Sequence, residues 1–263
     1  MNIWQAILLG AVQGFAEFLP ISSSGHLLLI QRWLKVNVDG GLFFDVMLHM
    51  GTLIPVCLVF FKEIKGLFKK PYDKLLYIII ATVPAGITGC LLQDKIEGVV
   101  NGGALTSAVL LAITFVLTAL ELFFSERLVK KQTEVLPLSI KSSIVMGVFQ
   151  AVAIVPGLSR SGTVLTGGAV AKLDRNENAE FTFLMSIPII LGAALVSGFK
   201  AIKGGAEIEV IPIVFGVTTA AVTGYIAIKA MLSAIKKAKY KWFSLYLLLI
   251  AAASVLSKII FNV

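Results

Sequence analysis

Long apolar runs, broken by short polar stretches, set the pattern of this chain. Residues 43–61, 75–92, 104–124, 180–199, 210–228 and 242–261 are each apolar over about the 18 or more residues that a helix needs to cross a bilayer. They predict six membrane spans. Two further apolar stretches are shorter and interrupted. Residues 1–19 predict a helix that stops at Pro20, because proline disfavours helix in the residue before it. A turn at 22–25 and a second short helix at 26–34 follow. Residues 142–155 repeat the arrangement, with a break at Pro156-Gly157, a turn at 158–162 and a returning helix at 163–171. Each pair predicts a re-entrant hairpin. Polar loops are expected at 37–41, 62–74, 93–103, 125–141, 172–179, 200–209 and 229–241. Asp174-Arg175-Asn176-Glu177 is read as a solvated loop.

The two hairpins are one motif written twice. Laid over each other without a gap, Gly10 meets Gly147, Gln13 meets Gln150 and Ala16 meets Ala153. Ser22, Ser24, Gly25 and Leu28 meet Ser159, Ser161, Gly162 and Leu165. Asp45 and Thr88-Gly89 find echoes in Glu180 and Thr223-Gly224, in the same order. The expected organisation is one membrane domain of two repeats, 1–136 and 137–263, each a hairpin plus three spans. An odd number of spans turns the second repeat upside down. The lysines agree, since loops 62–74, 125–141 and 229–241 are the basic ones. The other loops are less basic, and Asp94, Glu97, Glu207 and Glu209 offset their lysines. Both termini then lie outside, and the Ser-rich tips meet near the midplane, as in inverted repeats with broken helices. The fold class is therefore an all-α polytopic membrane protein with two inverted-topology repeats.

Composition supports this class. Of 263 residues, 57% are hydrophobic and 14% charged, and the mean hydropathy is +0.92. A soluble domain is nearer about 45–50% and about 25%. Continuous apolar runs, rather than alternation, exclude a transmembrane barrel. The net charge of +8 comes from loop lysines, so it indicates a membrane surface and no nucleic acid. Cys57 and Cys90 read as small buried hydrophobes. The N-terminal run lacks a basic start and carries Glu17, which argues against a signal peptide.

Differences between the two copies carry the chemistry. Glu17 stands where copy two has Ile154, His26 where it has Thr163, and Arg160 where copy one has Ser23. Ionisable groups at membrane depth mark function by default. Helix starts with free N–H groups favour an anion, and a guanidinium fork suits phosphate oxygens. The candidate catalytic residues are Glu17, Ser23, His26 and Arg160. Ser22, Ser24, Gly25, Ser159, Ser161, Gly162 and Thr163 are the candidate substrate-binding residues. A divalent cation held by Glu17 with Gln13 would offset the charge of a diphosphate. The residues leave open whether His26 or Ser23 attacks phosphorus. His49 reads equally as a helix–helix hydrogen bonder or a site residue, with Asp45 placed to orient it. A hydrolase, a transporter or flippase using the same phosphate site, and a scaffold are all compatible with the topology. A scaffold leaves the duplicated tips unexplained.

Gly14-Phe15-Ala16-Glu17-Phe18-Leu19-Pro20-Ile21-Ser22-Ser23-Ser24-Gly25-His26 and Pro156-Gly157-Leu158-Ser159-Arg160-Ser161-Gly162 resemble the two motifs of the undecaprenyl-diphosphate phosphatases of the bacitracin-resistance type. Phe44-Asp45-Val46 and Glu180-Phe181-Thr182-Phe183-Leu184 also look like family segments, and the resemblance covers nearly the whole chain. It implies a multi-pass enzyme of the bacterial plasma membrane that removes the terminal phosphate of a polyprenyl diphosphate at the outer face. It also implies dependence on Mg²⁺ or Ca²⁺, recycling of a lipid carrier for cell-wall synthesis, and bacitracin resistance. By motif position it makes Glu17, Ser23 and His26 the functional residues of the first motif, and Ser159 and Arg160 the phosphate-contacting pair of the second. Two positions depart from the pattern. Gln13 replaces an acid that some members carry, and Thr163 comes one residue before the usual threonine. The sequence leaves a homodimer open.

Overall fold

A computed structural model describes residues 1–36, 41–101, 104–203 and 209–261. Most of the loop at 37–41, the end of the 93–103 loop, and Glu207 lie outside the described residues, as do the side chains of Asp94 and Glu97. Among the described residues there are eleven helices and no strand. The first hairpin is α1 (Ile3–Phe18) and α2 (Ser23–Trp33). It is followed by α3 (Gly41–Val59), α4 (Phe61–Leu67), α5 (Asp73–Asn101) and α6 (Ala104–Lys131). The second hairpin is α7 (Ile140–Val152) and α8 (Arg160–Val170), followed by α9 (Arg175–Lys203), α10 (Val210–Lys236) and α11 (Lys241–Phe261).

Helices α5, α6, α9 and α10 contain stretches long and apolar enough to span a membrane. Helices α3 and α4 reach that length and apolarity only as a pair, which is bent by 86° at Phe60, the form of a broken span or a re-entrant loop. The described part of α11, Lys241–Ser257, is apolar but shorter. Large apolar side chains such as Leu91, Leu195 and Ile202 face outward, as a bilayer surface requires. The chain is an all-α polytopic membrane protein.

The helices exceed the apolar runs that announced them. At about 1.5 Å per residue, the 29 residues of α5 and of α9 reach about 43 Å, against about 30 Å of hydrocarbon. The expected polar segments 93–103, 125–141 and 172–179 are helical over residues 93–101, 125–131 and 175–179. Lys and Glu are good helix formers, so a helix need not stop where hydrocarbon stops. The start of the basic segment 62–74 forms α4. Asp174 is not loop filler either. Its carboxylate caps α9, accepting from the N–H groups of Asn176 (2.8 Å) and Glu177 (3.3 Å). Arg175 donates to the carbonyls of Lys236 (3.4 Å) and Val129 (3.2 Å), tying α9 to the ends of α10 and α6. Cys57 and Cys90 are free, as expected, but exposed rather than buried.

Helix pairing follows the repeat. Helix α1 packs on α10, and its counterpart α7 packs on α5, while α6 and α11 pack on each other. Small residues allow the close approach, the usual device where lipid removes the hydrophobic drive. A Cβ on Gly10 would lie 2.3 Å from the Gly216 carbonyl oxygen, and one on Gly147 would lie 2.7 Å from that of Ala81. Gly10 and Gly147 are equivalent positions of the two motifs. The two interfaces are thus the same contact made twice. The interior is filled by one large apolar cluster, in which the Phe183 ring meets Phe18 at 5.7 Å and Phe60 at 5.9 Å.

Candidate active site where two hairpin tips meet

Each hairpin turn is built by the same local device. Ser22 caps α2 by accepting the Gly25 N–H (3.2 Å), and Ser159 caps α8 by accepting the Gly162 N–H (3.2 Å). The Ser-x-x-Gly spacing thus satisfies one of the free N–H groups at each helix start. Within the turns, Ser22 and Ser24 hydroxyls lie 3.5 Å apart, and Ser159 and Ser161 hydroxyls 3.3 Å apart. The tips touch. The Gly157 N–H reaches Ser24 Oγ at 3.5 Å, and Ser161 Oγ reaches the Leu19 carbonyl at 3.5 Å. Gly157 has φ +91°, and a Cβ there would sit 1.9 Å from Thr114 Oγ1, so only glycine fits. The Ser159 N–H donates to Thr118 Oγ1 at 3.2 Å, anchoring the second turn to α6.

Glu17 is the hub. Its carboxylate is buried, with its side chain 3% exposed, and it gathers four groups. Oε2 accepts from Gln13 Nε2 (2.9 Å) and from Ser23 Oγ (2.8 Å). His49 Nε2 lies 3.5 Å from the same oxygen. Oε1 is paired with Arg160 Nη2 across the gap between hairpins. Glu17, Ser23, Gln13 and Arg160 therefore converge as the sequence predicts.

His26 does not join them through a hydrogen bond. Its Nδ1 bonds the Ser22 carbonyl oxygen (2.8 Å) and its Nε2 bonds the Tyr246 hydroxyl of α11 (2.8 Å). The imidazole beside Glu17 is instead His49. Its Nδ1 bonds the Asp45 backbone oxygen (2.8 Å), which turns Nε2 toward Glu17. Asp45 does orient His49, but through its backbone. The Asp45 carboxylate accepts from Gln31 Nε2 (2.7 Å). Thr163 donates to Glu121 of α6 (2.7 Å), away from Glu17. The contacts of His26 and Thr163, equivalent positions in the two motifs, tie each hairpin to one of the paired helices α6 and α11.

Sequence reading passed over three of these residues. Glu121 lies inside the apolar run 104–124, and a carboxylate there is itself the signal that marks a functional residue. Tyr246 and Thr118 give no such signal, since tyrosine and threonine are ordinary in spans.

The donors also bear on a cation. Gln13 Oε1 is buried with no hydrogen-bond partner among the described residues. This bare carbonyl oxygen and the Glu17 carboxylate are hard oxygen donors of the kind Mg²⁺ and Ca²⁺ take. Among the described residues no three His, Cys, Asp or Glu side chains group to hold a metal. Such an ion would therefore need oxygens from its substrate as well.

Together these features define a class: a multi-pass helical membrane protein whose two broken-helix hairpins share one buried, charged polar centre. The family described as Bacitracin resistance protein BacA matches residues 6–253, and the chain belongs to it. A protein of Carboxydothermus hydrogenoformans named undecaprenyl-diphosphatase is 40% identical over 252 residues, covering 94% of each chain. Proteins of the same name are 40% identical over 261 residues in Moorella thermoacetica, covering 96% of each chain, and 39% identical over 267 residues in Methanobrevibacter smithii, covering 94% of each.

Proposed function

We infer that this protein hydrolyses undecaprenyl diphosphate to undecaprenyl phosphate and phosphate, so recycling a lipid carrier for cell-wall synthesis and conferring resistance to bacitracin. The observation that carries the chemistry is the Ser23–Glu17–Arg160 contact across the two tips. Family membership carries the substrate, and it favours hydrolysis over transport.

In this reading Arg160 turns from Glu17 to the terminal phosphate, because a guanidinium binds phosphate oxygens with a planar fork. Only one of its nitrogens, Nη2, is committed to Glu17. The N–H groups at the starts of α2 and α8 add partial positive charge. Ser23 Oγ attacks the terminal phosphorus while Glu17 accepts its proton. The bridging P–O bond breaks and the lipid phosphate leaves. Water then cleaves the phosphoserine and frees inorganic phosphate. Gln13 and Glu17 would hold a Mg²⁺ or Ca²⁺ ion, which neutralises phosphate charge when bound. A carboxylate has about four acceptor sites, enough for both tasks.

We also propose that the chain is two inverted repeats, 1–136 and 137–263, with its site opening to the outer face of a bacterial plasma membrane. The paired interfaces at Gly10 and Gly147 support the repeats. The basic loops at 62–74 and 229–241 support the orientation.

The test is phosphate release from undecaprenyl diphosphate by the purified protein in lipid vesicles. Wild type is expected to turn over, and Ser23→Ala and Arg160→Ala to lose about a hundredfold or more. Unchanged turnover in folded Ser23→Ala would remove the serine from the chemistry. No release by wild type would overturn the reading.

A further inference from the structure

The His26 ring is held on three sides. Nδ1 faces the Ser22 carbonyl, Nε2 faces the Tyr246 hydroxyl, and the Phe115 ring packs at 5.4 Å. The Tyr246 ring lies nearly parallel to it, 8° apart, at 5.6 Å. A carbonyl oxygen only accepts, so Nδ1 carries the proton. In the neutral ring Nε2 is then a lone pair that accepts from the Tyr246 hydroxyl. The Ser22 carbonyl therefore fixes which tautomer His26 adopts, and the phenol satisfies Nε2 and holds the ring in place.

What His26 holds is unusual. Ser22 has φ +70°, in the left-handed half of the backbone map that non-glycine residues rarely adopt. It is the residue before Ser23, whose hydroxyl meets Glu17 at 2.8 Å. Rotation about Ser22 would swing that hydroxyl away. The second hairpin supplies the contrast. Its cap, Ser159, has an ordinary φ of −84°, and Thr163, at the position of His26, bonds Glu121 instead of the cap carbonyl through its side chain. A side-chain donor to the cap carbonyl is present at the strained cap, and the relaxed cap has none at the equivalent position.

We propose that Tyr246 and His26 form a brace behind the first serine turn. Tyr246 holds the His26 ring in its orientation through Nε2, and His26 Nδ1–H holds the Ser22 carbonyl so that the Ser23 hydroxyl stays aimed at Glu17. Both are positioning residues, acting through the turn. The proposal rests on the hydrolase reading with Ser23 as the attacking group.

The amide of asparagine can put an N–H near the position of Nδ1, whereas that of glutamine reaches nearer Nε2. Phosphate release from undecaprenyl diphosphate is measured for wild type, His26→Ala, His26→Asn, His26→Gln, Tyr246→Phe and the Tyr246→Phe/His26→Asn double variant. Folding is checked by circular dichroism and gel filtration. A brace predicts that His26→Asn recovers about tenfold or more of the kcat lost in His26→Ala, while His26→Gln does not. Tyr246→Phe, which keeps the ring packing, should lose about five- to tenfold in kcat at unchanged KM, the scale of one hydrogen bond. It should cost nothing further in the His26→Asn background.

Folded His26→Asn as inactive as His26→Ala would overturn the brace and make the imidazole itself reactive. Tyr246→Phe with wild-type kcat would overturn it too, and does not depend on whether the His26 variants fold. Absence of wild-type turnover would sink the hydrolase reading beneath it, which separates the two failures.

Discussion

The Glu17–Arg160 pair can be tested by stability rather than activity. Its side chains are 3% and 22% exposed. Breaking a buried pair from one side costs about 3–5 kcal/mol, because a bare charge stays behind. After Arg160→Ala, Glu17 still accepts from Gln13 and Ser23, and hydrogen bonds to a charged group are worth about 1.5–3 kcal/mol each. The loss therefore belongs at the low end, about 3 kcal/mol. Glu17→Gln strands Arg160, which is partly open to water, so about 1–2 kcal/mol is lost. Removing both charges leaves no stranded ion, and the double variant should lose about 2 kcal/mol. The coupling is then about 2–3 kcal/mol, well above the few tenths expected of independent sites.

For a chain of this size 1 kcal/mol moves the melting temperature by about 2–4 °C. Arg160→Ala should melt about 6–12 °C below wild type, and the double variant should regain about 2–4 °C of that. Trp4, Trp33 and Trp242 give an intrinsic fluorescence readout in detergent. If the double variant melts below wild type by the sum of the two single losses, the two groups are not paired and the composite site is wrong. All three proteins should be inactive, so activity plays no part in this test.

Other parts of the structure give sharper or simpler expectations. Gly14→Ala would place a Cβ 2.0 Å from Thr223 Oγ1 and 2.5 Å from the Ala220 carbonyl, whereas Gly86→Ala meets nothing within 4 Å. The first should lose about 1–3 kcal/mol and much activity, since α1 carries Glu17, and the second should melt like wild type. Glu126 Oε2 accepts from the N–H groups of Tyr240 (2.6 Å) and Lys241 (2.7 Å) at the start of α11. Glu126→Ala should therefore cost about 1–2 kcal/mol in thermal melting, the scale of a lost cap. Exhaustive chelation should abolish phosphate release, and added Mg²⁺ or Ca²⁺ should restore it; full turnover after chelation would remove the cation from Gln13 and Glu17.

The sequence shows where the backbone breaks more clearly than where side chains go. Pro20, Pro156 and the two Ser-x-Ser-Gly turns are local signals, and α1 and α7 end, and α2 and α8 begin, within a few residues of them. Glu17, Gln13 and Ser23 are close in sequence, so their convergence is legible. Arg160 becomes legible only once the repeat is recognised. The destination of His26 is not, because Tyr246 and Phe115 come from distant spans and nothing near residue 26 encodes them. Helix ends are illegible for a different reason. Hydropathy marks the bilayer edge, while Lys130, Lys131 and Lys236 continue their helices past it.

Duplication explains why the centre can be both acidic and basic in so small a space. An acid at position 154, the equivalent of 17, would put a second negative charge in the hairpin that carries Arg160. Here the second copy has Ile154 there, and Leu184 at the position echoing His49. Had both copies carried arginine at the turn, the first would lack the Ser23 hydroxyl now bonded to Glu17. Each hairpin thus supplies what the other lacks, and the Glu17–Arg160 pair exists only between them. The shared features, a capping serine and a glycine at each turn, build the cradle twice. The divergent positions, 17 with 154, 23 with 160 and 26 with 163, decide what the cradle does. The hairpin geometry is what the two copies share and the chemistry is what they divide, so substitutions at the shared caps should act through folding alone, while those at the divergent positions should abolish turnover whatever they do to stability.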